Sequence, residues 1–303
     1  MKKYTILTIL IVTLFSSVAW SQSFYNFNRQ RDIILSFGTG TSAYFGDLND
    51  PGDIFDTRWN INLGLEYFLN DRISVRGELM YFSLAGDDES SNTEGRVRRN
   101  LSFTSDNGEL NFVGIFNFRR NGRRFYQRPG VNGYVFGGLG LAYFQPKAIV
   151  PDVYVDDFGN STPLPNAGEK IALKPLMTEG VDYNRVSLVI PFGGGVRFKA
   201  GPFFNIALEA GYRITFTDYL DDVSTTFRDQ SIFGNDLTAR ALADRRPEIG
   251  LPRLAPGKRR GDSSDNDGYM IYNIKVEYYL PTHIMSTSKF KKNRRRSKRP
   301  RSQ

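Results

Sequence analysis

Residues 58–84 carry a hydrophobic pattern with a period of two, broken once by a turn. Apolar side chains alternate with polar ones up to Leu69-Asn70-Asp71, and the same alternation resumes after these residues. Only a β-strand places alternate residues on opposite faces, so the pattern predicts a hairpin. Each strand is about ten to fourteen residues long, roughly twice the usual soluble strand and enough to cross a bilayer when tilted. The hairpin therefore predicts a membrane-spanning β-barrel.

Six further segments repeat this period and bring the prediction to eight strands. The predicted strands cover residues 33–45, 57–69, 73–84, 110–118, 131–143, 186–198, 204–216 and 270–280, with a start for the fourth as early as Leu101. The connections after strands one, three, five and seven are long, and the others are shorter. Outer-membrane barrels have an even strand number, short periplasmic turns and long surface loops. The predicted fold is an all-β, eight-stranded antiparallel outer-membrane barrel.

A soluble lipocalin-like barrel or a β-sandwich is the alternative fold. The mean hydropathy of −0.39 is typical of a soluble protein, but every second residue of a transmembrane barrel faces the lumen and is free to be polar. Strand length, the alternation of connections and aromatic residues near the strand ends favour the membrane. The aromatic residues expected to form interfacial girdles are Trp59, Tyr67, Phe68, Tyr81, Phe82, Tyr143, Phe144, Tyr278 and Tyr279.

The first 21 residues have the features of a signal peptide. Lys2 and Lys3 precede an apolar core at residues 6–15, and Ala19-Trp20-Ser21 is an A-x-S cleavage site that would leave Gln22 first. A membrane-anchoring helix is the alternative, but the core is short. The predicted division is a signal peptide at 1–21, the barrel at 22–283 and a basic, disordered periplasmic tail at 284–303, in a protein of the cell outer membrane.

The polar parity of the strands predicts charges inside the barrel. These residues are Glu66, Arg76, Glu78, Arg197, Glu209, Arg213, Lys275 and Glu277. An eight-stranded barrel is just wide enough for side chains to fill its interior. We expect the charges to pair with one another, because an unpaired buried ion costs several kcal/mol. A salt-bridged, closed interior is the favoured interpretation, and a proton or ion path is the alternative.

Candidate catalytic chemistry is sparse. There is no cysteine, and the single histidine, His283, follows the last predicted strand without a serine–carboxylate set around it. Asp262, Asp265 and Asp267 resemble part of a calcium loop but lack the EF-hand spacing, so a solvated loop is expected. The prediction is a protein that is not an enzyme and has no cofactor, metal or small-molecule substrate.

Two basic segments are candidate partner-binding sites. By strand parity both lie in the periplasm, where they could attract an acidic partner. The residues are Arg119, Arg120, Arg123, Arg124 and Arg128 in one turn, and Lys291, Lys292, Arg294, Arg295 and Arg296 in the tail. Export makes nucleic acid an implausible partner, and a solvated, disordered tail is the plainer interpretation.

Three segments resemble the PorG family of the type IX secretion system. They read SAYFGDLN at residues 42–49, YVFGGLGLAYFQPKA at 134–148 and FTDYLDDVS at 216–224. The resemblance implies an outer-membrane barrel, surrounded by outer-membrane lipid, that contacts the periplasmic ring components of that machine and anchors them at the membrane without catalysis. From the residues alone, we expect Asp218, Asp221 and Asp222 to order the fourth long loop by accepting backbone hydrogen bonds.

The functional alternative is a barrel of the OmpA or OmpX kind. Such a protein would act as a minor pore or through its surface loops. Conductance separates it from an anchor, because a closed interior passes no steady current.

Overall fold

The computed structural model describes residues 31–50, 57–121 and 125–281, and the predicted signal peptide and basic tail lie outside these ranges. The eight long strands are confirmed with close to the predicted bounds. They are β1 (Ile33–Phe45), β2 (Thr57–Phe68), β3 (Ile73–Asp87), β4 (Ser102–Asn117), β5 (Val131–Tyr143), β10 (Val186–Lys199), β11 (Phe204–Thr215) and β12 (Gly268–Tyr279). Four short strands, β6 (Pro146–Ile149), β7 (Val153–Val155), β8 (Ser161–Pro163) and β9 (Lys170–Ala172), lie between β5 and β10.

The long strands close into a barrel in which each pairs with its sequence neighbour. The order is β3-β2-β1-β12-β11-β10-β5-β4, and β3 pairs with β4 to complete the ring. All eight pairings are antiparallel, including the first strand with the last. Closure leaves no open edge in the barrel wall, which a bilayer requires. The short connections meet at one end of the barrel (the short-turn end) and the long ones at the other (the long-loop end).

The barrel is apolar outside and polar inside. Its strands alternate between exposed and buried residues, as in β2 with Leu63 and Leu65 exposed and Asn62 and Glu66 buried. The same holds on β12, where Ile274 and Val276 face outward. This polarity is the reverse of a soluble barrel, so the lipocalin-like alternative is wrong. The outer surface is suited to lipid and the interior to fixed charges.

Four of the expected girdle aromatics face the interior instead. Phe82, Phe144 and Tyr279 are nearly fully buried, and Phe68 is partly buried and stacks on Tyr279. In contrast, Trp59, Tyr67, Tyr81 and Tyr143 are exposed. The reason is parity, because each buried residue directly follows an outward-facing one along its strand. Aromatic rings thus lie inside both ends of the barrel, with Phe82 and Phe144 near the long-loop end and Tyr279 near the short-turn end.

The connections at the long-loop end fold into a layer over the barrel mouth, here called the loop cap (residues 46–50, 88–101, 144–185 and 216–267). It contains the helices α1 (Glu94–Arg99) and α2 (Leu237–Ala243) and short 3-10 turns at Asp88–Ser90, Lys174–Leu176, Gln230–Phe233 and Arg246–Ile249. Another 3-10 turn, Phe125–Gln127, lies at the short-turn end. One hydrophobic cluster joins the cap to the barrel interior, from Phe82 and Tyr269 to Leu220 and Leu242. The interior thus changes from charged to apolar toward the cap.

Within the described residues, no helix is both long enough and apolar enough to span a membrane.

Candidate functional site

The first part of the interior network surrounds Arg197 near the short-turn end. Its guanidinium forms ion pairs with Glu66 and, at 2.9 Å, with Glu277, and donates to Asn117 Oδ1 at 3.0 Å. Ser74 Oγ donates to the same Glu66 at 2.5 Å. All of these side chains are buried. Side chains from β2, β4 and β12 therefore meet on this cation of β10, and Ser74 of β3 supports Glu66.

The middle of the barrel holds two cations between two carboxylates. Lys275 Nζ lies 2.6 Å from Glu78 Oε2 and 2.7 Å from Glu209 Oε1. Arg76 pairs with the same two acids, at 2.8 Å from Glu209 and 3.4 Å from Glu78. Tyr134 Oη donates to Glu209 at 2.8 Å. The two cations and two acids form a neutral set.

Nearest the cap, Arg213 pairs with an acid that was not among the predicted interior charges. Its Nε lies 3.6 Å from Glu109 Oε2. Tyr269 Oη and Asn111 Nδ2 also donate to Glu109, at 2.7 and 2.6 Å. Glu109 lies on the inward-facing side of β4, and the alternation of polar and apolar residues along that strand could have predicted it.

The interior charges balance. Five acids (Glu66, Glu78, Glu109, Glu209 and Glu277) meet four bases (Arg76, Arg197, Arg213 and Lys275). A fifth base, Arg128, reaches Glu277 through Asn205, to which its Nε donates at 2.7 Å. The structure thus brings together all eight predicted interior residues as buried, bonded side chains. This packing supports a filled interior rather than an open pore.

The short-turn end holds the described part of the predicted basic turn. Arg119 and Arg120 are exposed, whereas Arg123, Arg124 and the tail residues lie outside the described residues. The prediction is wrong for Arg128, which is buried and donates from its guanidinium to the carbonyls of Gly201, Pro202 and Phe204. Arg128 thus fastens the turn between β4 and β5 to the turn between β10 and β11 and is not available to a partner.

A second buried polar cluster lies where the cap meets the barrel. The Tyr44 hydroxyl lies 2.7 Å from Asp221 Oδ2 and 2.8 Å from Asp267 Oδ1. A phenol has one hydrogen to donate. The second contact is a hydrogen bond only if that carboxyl carries a proton and donates it to the phenol oxygen. Both contacts can thus be hydrogen bonds at once only when one of the two acids is protonated.

Burial raises the pKa of several acids in this part of the cap. Burial and the charge of Asp47 raise the pKa of Asp221, and burial and the charge of Asp221 raise that of Asp267. Burial also raises the pKa of Asp218 to about 7 and that of Asp222 to about 6. Burial in the folded cap thus favours the protonated form of each of these carboxyls.

The predicted role of the three aspartates in ordering the fourth long loop has a mixed outcome. Asp221 Oδ1 accepts the Val223 amide at 2.8 Å, as expected. Asp222 instead accepts side-chain hydrogen bonds from Thr178 and Tyr183, which tie the fourth long loop to the third. Asp218 is mostly buried, and its Oδ2 has no hydrogen-bond partner among the described residues.

Glu179 and Arg260 form the central ion pair of the cap. Arg260 Nη1 lies 2.9 Å from Glu179 Oε1, and both side chains are buried. Glu179 also accepts hydrogen bonds from the amides of Ser224 and Thr225, at 3.0 and 2.9 Å. Although burial opposes ionisation, Arg260 and these hydrogen bonds hold the pKa of Glu179 below its ordinary value. None of these contacts was anticipated, because their partners are about 45 and 81 residues apart.

The acidic segment at residues 262–267 is only partly a solvated loop. Asp265 is exposed, but Asp267 is buried and accepts the Leu220 amide at 2.9 Å. Across the described ranges, no group of three or more acidic or histidine side chains converges to hold a metal ion.

The raised carboxyl pKa values predict that the cap loosens as pH rises. A raised pKa gives a stabilisation that is complete below the unfolded value, near 4, and is lost as pH rises through the folded value. That loss runs from about pH 4 up to about pH 6 for Asp222 and up to about pH 7 for Asp218. We expect amide exchange protection of residues 217–225, corrected for intrinsic rates, to fall by about tenfold or more between pH 5.5 and 8.

Two variants test this pH dependence. Asp218→Asn should weaken it near pH 7, whereas Asp265→Asn, at an exposed position of the same loop, should leave it unchanged. Protection that stays constant or rises with pH would show that the buried acids do not control the cap.

The comparisons with known proteins give structural similarities alone. No family model and no curated protein matches the chain. Among solved structures, it is similar to Neisserial surface protein A, at 7% identity and a TM-score of 0.40, over 82% of this chain and 97% of that one. It is also similar to Ail, the attachment invasion locus protein of Yersinia pestis (13% identity, TM-score 0.36, 82% and 99% covered), and to a major outer membrane protein from Thermus thermophilus (12% identity, TM-score 0.40, 81% and 98% covered).

The closed ring of strands, the apolar outer wall and the charged interior define the class of fold. The chain is an eight-stranded transmembrane β-barrel of the outer-membrane type. Its long connections build a folded cap at one end, and its short turns carry exposed arginines at the other.

Proposed function

We propose that the protein is a closed outer-membrane anchor that acts through its ends rather than through a pore. The observation that carries this proposal is the interior network, in which charges from opposite walls meet in the middle of the barrel. We expect such an interior to block a continuous water path for ions. The apolar wall contacts membrane lipid, and the barrel carries out no catalysis.

The docking face of the anchor is the short-turn end, which the outer-membrane orientation places in the periplasm. Arg119 and Arg120 are exposed there. The described chain also begins and ends at this face, where Arg31 Nη1 donates to the Tyr279 carbonyl at 2.7 Å. The proposal adds the charge of the basic segment at residues 289–301 to this face. An acidic protein surface is the complementary partner.

The resemblance to the PorG family supports a particular partner. On that basis the anchor holds the periplasmic ring components of a type IX secretion system at the outer membrane. The charges of the turn and the tail supply the attraction, and the barrel supplies the membrane attachment.

In-cell crosslinking from the periplasmic side tests the docking face. The full chain, a chain ending at His283 and the variant Arg119→Glu/Arg120→Glu are compared. We expect ring components to crosslink to the full chain. These crosslinks should be weaker for the chain ending at His283 and for the variant Arg119→Glu/Arg120→Glu. Crosslinks that survive both changes would move the docking site to the barrel rim, and a full chain without any contact to a secretion component would contradict the proposal.

Conductance of the purified barrel in a planar bilayer is the second test. We expect no steady current above that of the lipid alone, because the interior cations and acids are paired across the lumen. Discrete, sustained current steps from the full chain would favour the minor-pore alternative.

A further inference from the structure

The hairpin formed by β7 and β8 projects an aromatic residue from the loop cap. Its tip is the sequence Asp156-Asp157-Phe158-Gly159-Asn160. The Phe158 side chain is 90% exposed, the highest value among the large hydrophobic residues that the structure describes. The hairpin belongs to the third long loop and lies at the opposite end of the barrel from the basic turn.

The tip is held in one conformation by its own hydrogen bonds. Asp156 Oδ1 accepts the amides of Phe158 and Asn160, at 2.9 and 2.8 Å. Asn160 Nδ2 donates to Asp156 Oδ2 at 2.8 Å, and Gly159 adopts a φ of +83°, which a side chain would disfavour. These bonds hold the pKa of Asp156 below its ordinary value. The exposed ring therefore sits on an ordered turn.

The base of the hairpin is fastened to the fourth long loop. Arg253 Nη1 lies 2.8 Å from Asp157 Oδ1, and its Nη2 donates to the Val155 carbonyl at 2.5 Å. The same guanidinium stacks 4.9 Å from the ring centroid of Tyr154, which belongs to the hydrophobic cluster of the cap. The hairpin is thus a rigid extension of the cap.

Nothing in the fold of the hairpin uses the Phe158 ring. The turn needs the aspartate, the glycine and the asparagine, whereas the exposed phenylalanine ring gains none of the stabilisation that burial would give it. A pre-ordered aromatic side chain is what protein interfaces use as an anchor, because little conformational entropy is lost on binding.

Charge decides between a protein and a lipid surface as the occupant. Residues 150–166 contain Asp152, Asp156 and Asp157 and no lysine or arginine, and the neighbouring Arg253 is already paired with Asp157. A segment that binds anionic lipid carries basic residues beside its apolar ones, and this segment carries acids. We propose that Phe158 anchors a second protein on the cell surface, whose apolar pocket is bordered by lysine or arginine side chains.

The experiment begins with a photo-reactive benzoylphenylalanine at position 158 in the full chain in cells. The same label at Ile232, an exposed residue of another cap segment, is the control. The protein crosslinked from position 158 is identified by mass spectrometry and purified. Its affinity for the full chain in lipid nanodiscs is then measured, together with the affinities of three variants.

We expect Phe158→Ser to weaken binding by about 30-fold or more, as removal of an interface anchor does. Asp152→Lys should weaken it mainly at low salt, because that residue acts by charge. Ile232→Ser should leave the affinity unchanged. Unchanged cap exchange rates in Phe158→Ser would confirm that the loss is not one of folding.

Several results would overturn the proposal. They are crosslinks from position 158 only to lipopolysaccharide or to a second copy of this chain, no protein crosslink that the Ile232 label lacks, or equal affinity of Phe158→Ser and the unchanged protein. This test is independent of the periplasmic anchor, because its readout comes from the other end of the barrel.

Discussion

Replacing Lys275 with methionine should lower the free energy of unfolding by about 3–5 kcal/mol, the usual cost of removing one partner from a buried ion pair. The ammonium is fully buried and lies 2.6 Å from Glu78 and 2.7 Å from Glu209. Methionine fills nearly the same space without charge. The neutral set in the middle of the barrel then has one excess negative charge, with Arg76 left to serve both acids.

Urea titration in detergent, followed by the heat-modifiable migration of the barrel in gels, measures this loss. Lys174→Met is the matched control, because Lys174 pairs with the exposed Asp182 in the cap. Such a surface pair contributes about 0–1 kcal/mol.

A double variant separates charge from packing. Adding Glu78→Gln to Lys275→Met removes the excess charge, so the two changes together should cost less than their sum. A Lys275→Met protein within about 1 kcal/mol of the unchanged protein would contradict the view that these pairs hold the interior together.

Glu179→Gln should open the loop cap while the barrel stays folded. The carboxylate accepts two backbone amides and the Thr225 hydroxyl and pairs with Arg260. Glutamine replaces one carboxylate oxygen with an amide NH2 group. That group would face the hydrogen-bond donors of Ser224, Thr225 or Arg260, which now bond to the carboxylate. It also leaves Arg260 buried with only Asp222, at 4.0 Å, as an acidic partner. A loss of about 3–5 kcal/mol is expected, and it falls on the cap because the contacts lie there.

Trypsin provides the measurement, since the fourth long loop is rich in arginine. If opening is fast relative to cleavage, a loss of 3 kcal/mol raises the cleavage rate by more than about 100-fold. Glu248→Gln is the control, because its pair with Arg245 is partly exposed. Equal cleavage of both variants, or loss of heat-modifiable migration in Glu179→Gln, would show that the cap is not a separately opening unit.

The barrel could be predicted from sequence because its signal is local and periodic. Each strand repeats apolar and polar residues with period two, and the register follows from short turns such as residues 69–72 and 200–203. The interior charges followed from the same parity. Their particular partners did not, since Lys275 and Glu78 are 197 residues apart.

The loop cap could not be predicted because its contacts join four irregular segments. One signal was present: residues 79–82 of β3 are apolar on both parities, Leu79 and Tyr81 outward and Met80 and Phe82 inward. A strand segment that is apolar on both faces needs an apolar neighbour on each face. Here the inward face packs against the loop cap, and the outward face is part of the lipid-facing wall. Likewise, the arginines of the basic turn look alike in sequence, and only the fold separates the buried Arg128 from the exposed Arg119.

The pairing of the first strand with the last has a consequence for biogenesis. Lys275 and Glu277 both belong to β12, so the ion pairs of Glu78, Glu209 and Arg197 are complete only when that strand is seated between β1 and β11. An intermediate without β12 would present Glu78, Arg197 and Glu209 to lipid with part of their counter-charges missing. We therefore expect partially assembled barrels to insert poorly, because their interior acids and bases lack part of their ion-pair partners.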